Sequence, residues 1–212
     1  MRAPSPTATS SSSRLADERL ERWLAALVAT PGLTAVRDQE AARELHLDNA
    51  LTATALLEEG PVVDIGAGGG SPGLPLAAAR PDLYFDLLES SRRKCGFLER
   101  WAAEFENVGV VCARAEEHAR GSGREAYGTA VARALAPPTT AAEWCLPLLR
   151  EGGRAILFVG PSGDRAAAAE VAGRLAGEVE QAPPGFILLR KTGPTPARFP
   201  RRPGMARKRP LA

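Results

Sequence analysis

Histidine, cysteine and aromatic residues are scarce in this sequence of 212 residues, and each scarcity removes a class of chemistry. His46 and His118 are the only histidines, and neither has neighbours at metal-ligand spacing, so no metal centre is expected. The three cysteines, Cys95, Cys112 and Cys145, are odd in number, far apart and form no CxxC, so reduced, buried thiols are expected. No apolar run approaches the roughly 20 residues that span a bilayer. The opening MRAPSPTATSSSS lacks the apolar stretch of a secretory signal, so a cytoplasmic protein with no membrane partner is expected. Acidic residues are missing altogether from Gln181 to Ala212, a stretch that carries eight Lys and Arg. The preceding chain holds more acids than bases, so the sequence reads as an acidic body with a cationic tail, a pattern that suits a polyanionic partner.

What is present is the composition of a globular domain. Hydrophobic residues at 44% and charged residues at 25% exclude wholesale disorder and collagen, and the length suits one domain with an appendage. Residues 1–13 are rich in Ser, Thr, Pro and Ala and are expected to be disordered. From Arg14, Leu15, Leu20, Trp23, Leu24, Leu27 and Val28 recur at helical spacing. A second helical stretch is expected from Asp38, as N-cap, to Glu58, so that residues 14–60 form a helical cap. Residues 61–191 alternate short apolar runs with helical stretches. Strands are expected at Val62–Ile65, Tyr84–Leu88, Val108–Cys112, Thr129–Ala132, Ala155–Val159 and Phe186–Leu189. Helices are expected at Pro75–Ala79, Arg92–Glu104, Thr140–Leu149 and Arg165–Ala176. This alternation specifies an α/β fold with a doubly wound, mostly parallel sheet and a late antiparallel strand near Phe186. Residues 192–212, rich in Pro, Gly and Arg, read as an extended basic tail.

The chemistry concentrates at Val62-Val63-Asp64-Ile65-Gly66-Ala67-Gly68-Gly69-Gly70-Ser71-Pro72-Gly73, where the first strand turns into the first crossover helix. Glycines there let backbone approach a ligand at the carboxyl edge of the sheet, where doubly wound folds bind nucleotides. Glu89, at the end of the second strand, is placed to accept both hydroxyls of a ribose. The loop has no Gly-Lys-Ser/Thr, which disfavours nucleotide triphosphates. Gly68, Gly70 and Gly73 also satisfy GxGxxG, so a dinucleotide stays open, but Asp64 would oppose a pyrophosphate and suits a cationic ligand. S-adenosylmethionine fits both ends.

DIGAGGGSPGLPLA, RPDLYFDLLESSRRKCGFL, ARAEE, ARALAP and the ending FPRRPG, in this order, resemble the bacterial 16S ribosomal RNA guanine-N7 methyltransferases, historically called glucose-inhibited division protein B. The resemblance implies a class I, Rossmann-like S-adenosylmethionine-dependent methyltransferase. It puts cofactor contacts on Gly66 and Ser71 in the loop, on Ala115 and Glu116 beside the adenine, and on Arg133 after the fourth strand. Asp64, Gly68, Gly70 and Glu89 complete the expected cofactor set. Gly32-Leu33-Thr34 replaces the family's frequent Asn-Leu-Thr, Val159 stands where a lysine is frequent, and the family's Arg-His pair has no clean match around Leu45-His46.

Guanine N7 presents a lone pair and no proton, so methyl transfer to it requires positioning and no general base. No catalytic acid, base or nucleophile is expected, and Arg133 is the residue expected nearest the chemistry, facing the cofactor carboxylate or guanine O6. Arg198, Phe199, Arg201, Arg202, Arg207, Lys208 and Arg209 are expected to contact 16S ribosomal RNA or the small ribosomal subunit, with Phe199 stacking on a base. A cofactor-binding paralogue without rRNA methylation and a small-molecule methyltransferase are the competing readings.

Overall fold

Helical and strand periods assemble as a seven-stranded sheet in a computed structural model that describes residues 11–161 and 163–212. The disorder expected over residues 1–10 lies outside the described residues, and helix α1 (Ser11–Ala29) begins three residues before Arg14. Its apolar stripe of Leu20, Trp23, Leu24, Leu27 and Val28 is buried. Asp38 caps α2 (Gln39–Arg43), accepting the Ala41 N–H at 2.8 Å as expected of an N-cap. The helix expected to reach Glu58 does not: a π-turn (Glu44–Asp48) leads into α3 (Asn49–Leu51), and a 3-10 turn (Thr54–Leu56) follows. Thr52 and Thr54 turn their hydroxyls back onto the carbonyls of Asn49 and Leu51, the competition with helix propagation characteristic of threonine.

The sheet comprises β1 (Val62–Ile65), β2 (Phe85–Glu89), β3 (Val108–Cys112), β4 (Tyr127–Arg133), β5 (Leu149–Phe158), β6 (Gly177–Glu180) and β7 (Phe186–Lys191), in the order β3-β2-β1-β4-β5-β7-β6. All pairings are parallel except those of β7, which runs antiparallel to β5 and β6. Crossovers are made by α4 (Gly73–Ala79), α5 (Arg92–Ala102), α6 (Ala115–His118), α7 (Pro138–Cys145) and α8 (Arg165–Arg174), and α9 (Met205–Lys208) lies in the tail. β6 escaped the sequence reading because Glu178 and Glu180 interrupt any apolar run on this edge strand. β5 begins six residues earlier than expected, since Gly152, at φ 79°, lets the chain turn inside a strand that the glycine pair had masked. α7 stops at Cys145, because Pro147 sits in the following 3-10 turn (Leu146–Leu148).

Two further expectations are corrected. Cys95 and Cys112 form a disulfide, so only Cys145 is a free, buried thiol. β3 pairs with β2 so that Cys112 lies opposite Glu89, and α5 begins just past Glu89, which brings the two cysteines together. The tail is not an extended arm: Phe199 and Ala206 are buried, and α9 forms within it. One apolar layer, including Trp23, Leu74, Leu87 and Leu98, unites the cap with one face of the sheet. A second, including Ala130, Cys145, Val171 and Phe199, covers the other face. No described helix is long and apolar enough to cross a membrane.

Candidate active site

The loop between β1 and α4 carries three glycines with positive φ: 71° at Gly66, 60° at Gly68 and 104° at Gly70. Gly66 and Gly68 are partly exposed at the carboxyl edge of the sheet, whereas Gly69 and Gly70 are buried against the cap. A Cβ on Gly66 would lie 2.3 Å from Leu135 Cδ1, and one on Gly70 would lie 2.6 Å from Leu74 Cδ1. Trp23 of α1 donates its indole N–H to the Gly69 carbonyl at 2.8 Å, which pins the loop from below. Gly70 therefore shapes the turn and does not face a ligand.

Asp64 has a different role from the one expected. It is 1% exposed, and its Oδ2 accepts the Gly73 N–H at 2.8 Å. Burial pushes its carboxyl up to about 7, opposed by the Gly73 N–H and the Arg133 charge and reinforced by the charge of Glu89. Asp64 thus buttresses the loop from behind and makes no surface for direct contact with a cofactor.

Glu89 stands at the tip of β2. Its Oε2 accepts the Gly68 N–H at 3.0 Å, and Oε1 accepts the N–H groups of Ser90 and Ser91, each at 2.8 Å. A carboxylate offers about four acceptor positions. Three are occupied by backbone N–H groups and the Ser90 hydroxyl lies 3.5 Å from Oε1, so Oε2, which accepts only the Gly68 N–H, is the oxygen with room for a ribose hydroxyl. Beside it a cavity is lined by Gly66, Ala115, Glu116, Leu135, Trp144 and Gly204, among others. Gly66, Ala115 and Glu116 are thus brought together as expected, whereas Trp144 and Gly204 were not singled out from sequence.

Arg133, at the tip of β4, is held from the cap side. One guanidinium nitrogen contacts both His46 Nδ1, at 3.0 Å, and Ser71 Oγ, at 2.8 Å, and the other donates to the Leu45 carbonyl. Ser71 Oγ donates to the His46 carbonyl at 2.6 Å, so its side chain faces this cluster and not the cavity lined by Glu116. Since Nδ1 of His46 accepts from Arg133, its Nε2 carries the proton and donates to Thr34 Oγ1 at 2.8 Å. Burial first, and the Arg133 charge second, lower the His46 pKa to about 4, so the ring is neutral near pH 7. His46 is a contact of Arg133 that the expected site did not include. Its only local signal was the poor family match at Leu45-His46.

On the far side of Arg133 opens a groove of about 500 Å³, lined by His46, Asn49, Arg133, Phe158, Val159 and Phe186, among others. Phe158 and Phe186 meet edge to face there, with ring centroids 4.9 Å apart. Ala134, which lines this groove, has φ 50°, a costly conformation for a residue with a Cβ.

The cationic tail divides into two sets. Phe199 is 3% exposed and packed in the core, so it is not available to stack on a base. Arg201 clasps Glu143 through two hydrogen bonds of 2.6 Å, and Arg207 lies over the Trp144 ring at 5.2 Å. Arg198, Arg202, Arg207, Lys208 and Arg209 are exposed.

A family model described as rRNA small subunit methyltransferase G matches residues 17–174. The ribosomal RNA small subunit methyltransferase G of Moorella thermoacetica is 40% identical over 201 residues, covering 84% of this chain and 82% of that protein. Its counterpart in Synechococcus elongatus is 39% identical over 198 residues, with the same coverage. Among solved structures, the magnesium protoporphyrin IX methyltransferase of Synechocystis PCC 6803 with bound SAM superposes with a TM-score of 0.57. It is 16% identical, covering 89% of this chain and all of that one, a likeness of fold alone. The glycine loop, the carboxylate at the tip of β2 and Arg133 at the tip of β4 therefore sit in a Rossmann-like methyltransferase fold, and the chain belongs to the rRNA small subunit methyltransferase G family.

Proposed function

We infer that this protein transfers a methyl group from S-adenosylmethionine to N7 of a guanine in 16S ribosomal RNA. The observation that carries the reading is the match of sequence to the rRNA small subunit methyltransferase G family over most of the chain, with Gly66, Glu89, Glu116 and Arg133 on one sheet edge. An rRNA substrate puts its work in the cytoplasm.

The residues fit the cofactor. Gly68 is open enough that only the Gly66 carbonyl, 3.7 Å away, would meet a Cβ there, so backbone is free to approach a ligand. Glu89 retains one acceptor position for the ribose. The indole N–H of Trp144, which lines the same cavity, is one of two buried side-chain donors without a partner among the described residues, the other being that of Trp101. The bound sulfonium would supply an electrophilic methyl group, and the protein's part is to hold donor and acceptor in line.

Guanine N7 is attacked through a lone pair in the plane of the ring, so no side chain has to remove a proton before transfer. The groove beside Arg133 suits a planar base: Phe158 and Phe186 form an apolar floor, and the guanidinium is an edge donor for guanine O6. Neutral His46 leaves Arg133 its full charge and fixes its direction through Nδ1. The exposed cations Arg198, Arg202, Lys208 and Arg209 supply contacts to phosphate.

The test is transfer of labelled methyl from S-adenosylmethionine to 16S ribosomal RNA and to the small subunit, with the product mapped by mass spectrometry. One N7-methylguanine per rRNA is expected. Binding of S-adenosylhomocysteine with no transfer to either substrate would reject the reading.

A further inference from the structure

The tail is tied to the body of the protein, and part of it to the walls of the Glu116 cavity. Residues 195–200 are clamped first: Arg124 donates to the carbonyls of Thr195 and Phe199 at 2.9 and 3.0 Å, and Arg120 to that of Pro200 at 3.2 Å. The chain then places Arg201 against Glu143, a carboxylate of α7 that is 3% exposed. A buried carboxylate with a bidentate guanidinium partner holds a fixed geometry, and removing either member leaves a costly charge. Arg201 also donates to the Arg209 carbonyl at 2.8 Å, closing the turn between them. Within that turn the Gly204 N–H donates to Glu116 Oε1 at 2.8 Å, and Arg207 donates to the Leu135 carbonyl at 3.1 Å while stacking on Trp144.

Gly204, Arg207, Trp144, Leu135 and Glu116 all line the one cavity. We propose that the C-terminal turn Arg201–Arg209 is the outer wall of the adenine end of the cofactor site, with the Arg201–Glu143 pair as the device that positions it. The unpartnered indole N–H of Trp144 is the donor for an adenine ring nitrogen. Binding of the adenosine moiety and ordering of the tail are then linked, each favouring the other. This inference rests on the methyltransferase reading, since it takes adenosine as the occupant.

The experiment uses the full-length protein and S-adenosylhomocysteine, with affinity by calorimetry and hydrogen exchange followed in the peptide covering residues 201–209. In the wild type, ligand should slow exchange in that peptide. Arg201→Ala, Arg207→Ala and Trp144→Phe should each weaken binding by roughly tenfold, the worth of one good hydrogen bond or stacked cation. Arg207 is exposed and Trp144→Phe keeps the ring, so these two carry the test if Arg201→Ala proves unstable. Wild-type affinity in both, with tail exchange indifferent to ligand, would overturn the wall and leave the methyltransferase reading intact. A wild-type protein that binds no S-adenosylhomocysteine would overturn both together.

Discussion

Arg133 donates to the Ser71 hydroxyl at 2.8 Å, and that hydroxyl passes its own hydrogen to the His46 carbonyl at 2.6 Å. A residue at the tip of β4 is thereby joined through the glycine loop to the N-terminal cap. The same guanidinium lines the groove floored by Phe158 and Phe186, so one side chain meets the cap, the loop and that groove.

Arg133→Ala should therefore have two effects. Losing charge-assisted bonds to Leu45, His46 and Ser71 should destabilise the fold by roughly 1.5 to 3 kcal/mol, measured by denaturant unfolding. Methyl transfer should fall by more than that stability loss accounts for, at saturating cofactor and at a temperature where the variant is folded. Unchanged transfer per folded molecule would reduce Arg133 to a structural strut.

The two accessible glycines of the loop should respond unequally to alanine. At Gly66 a Cβ would drive Leu135 aside, and Leu135 lines the Glu116 cavity, so cofactor affinity should drop at least about tenfold. At Gly68 the new methyl meets only the Gly66 carbonyl, 3.7 Å away, so within the protein it costs the strain of a left-handed backbone, about 1 kcal/mol, and any loss of affinity beyond that reports the ligand's close approach to this backbone. Calorimetry on the two variants decides between steric exclusion and backbone strain.

Glu89→Gln should separate the two roles of that carboxylate. The amide keeps one acceptor oxygen but replaces the other with a donor aimed at backbone N–H groups. The loop should loosen even without ligand, visible as faster amide exchange at Gly68, and S-adenosylhomocysteine affinity should fall. A fall in affinity with unaltered exchange would mean that Glu89 serves the ligand alone.

Asp64 and His46 pull the pH dependence of stability in opposite directions. The native Asp64 titrates near 7 against 3.8 in the unfolded chain, so the folded state holds the extra proton and stability declines as pH rises between those values. His46 titrates near 4 against 6.5, so the unfolded state takes up the proton first and stability declines as pH falls through that window. In the wild type the two slopes oppose each other. Asp64→Asn should leave stability that decreases toward acid, and His46→Gln stability that decreases toward neutrality. Chemical denaturation at intervals from pH 4.5 to 7 measures both slopes, and identical profiles in the two variants would contradict the assignment.

RNA affinity should depend on the exposed cations and not on Phe199. Changing Arg202, Lys208 and Arg209 to Gln should flatten the slope of log K against log salt by about 0.7 for each phosphate no longer neutralised. Substituting buried Phe199 should instead lower thermal stability. A salt slope that survives all three changes would move the RNA surface elsewhere.

Local periodicity and turn chemistry made much of this protein legible. The limits of β1 and β3, the Asp38 cap, the buried stripe of α1 and the glycine loop all follow from neighbours within a few positions, because helix and strand periods and positive-φ turns are written in adjacent residues. Composition misled where it stood in for contacts. A Pro-, Gly- and Arg-rich tail looks extended, yet Arg201 finds a buried partner 58 residues away in Glu143. His46 meets Arg133 across 87 residues, and Cys95 meets Cys112 only because β2 and β3 pair in one register. The sequence alone determined the doubly wound sheet and the place of the loop on it, since burial patterns select the layers. Tertiary structure alone decided which charges stand free for a ligand and which are held by the fold, because ion pairing and desolvation depend on distances that chain order does not encode.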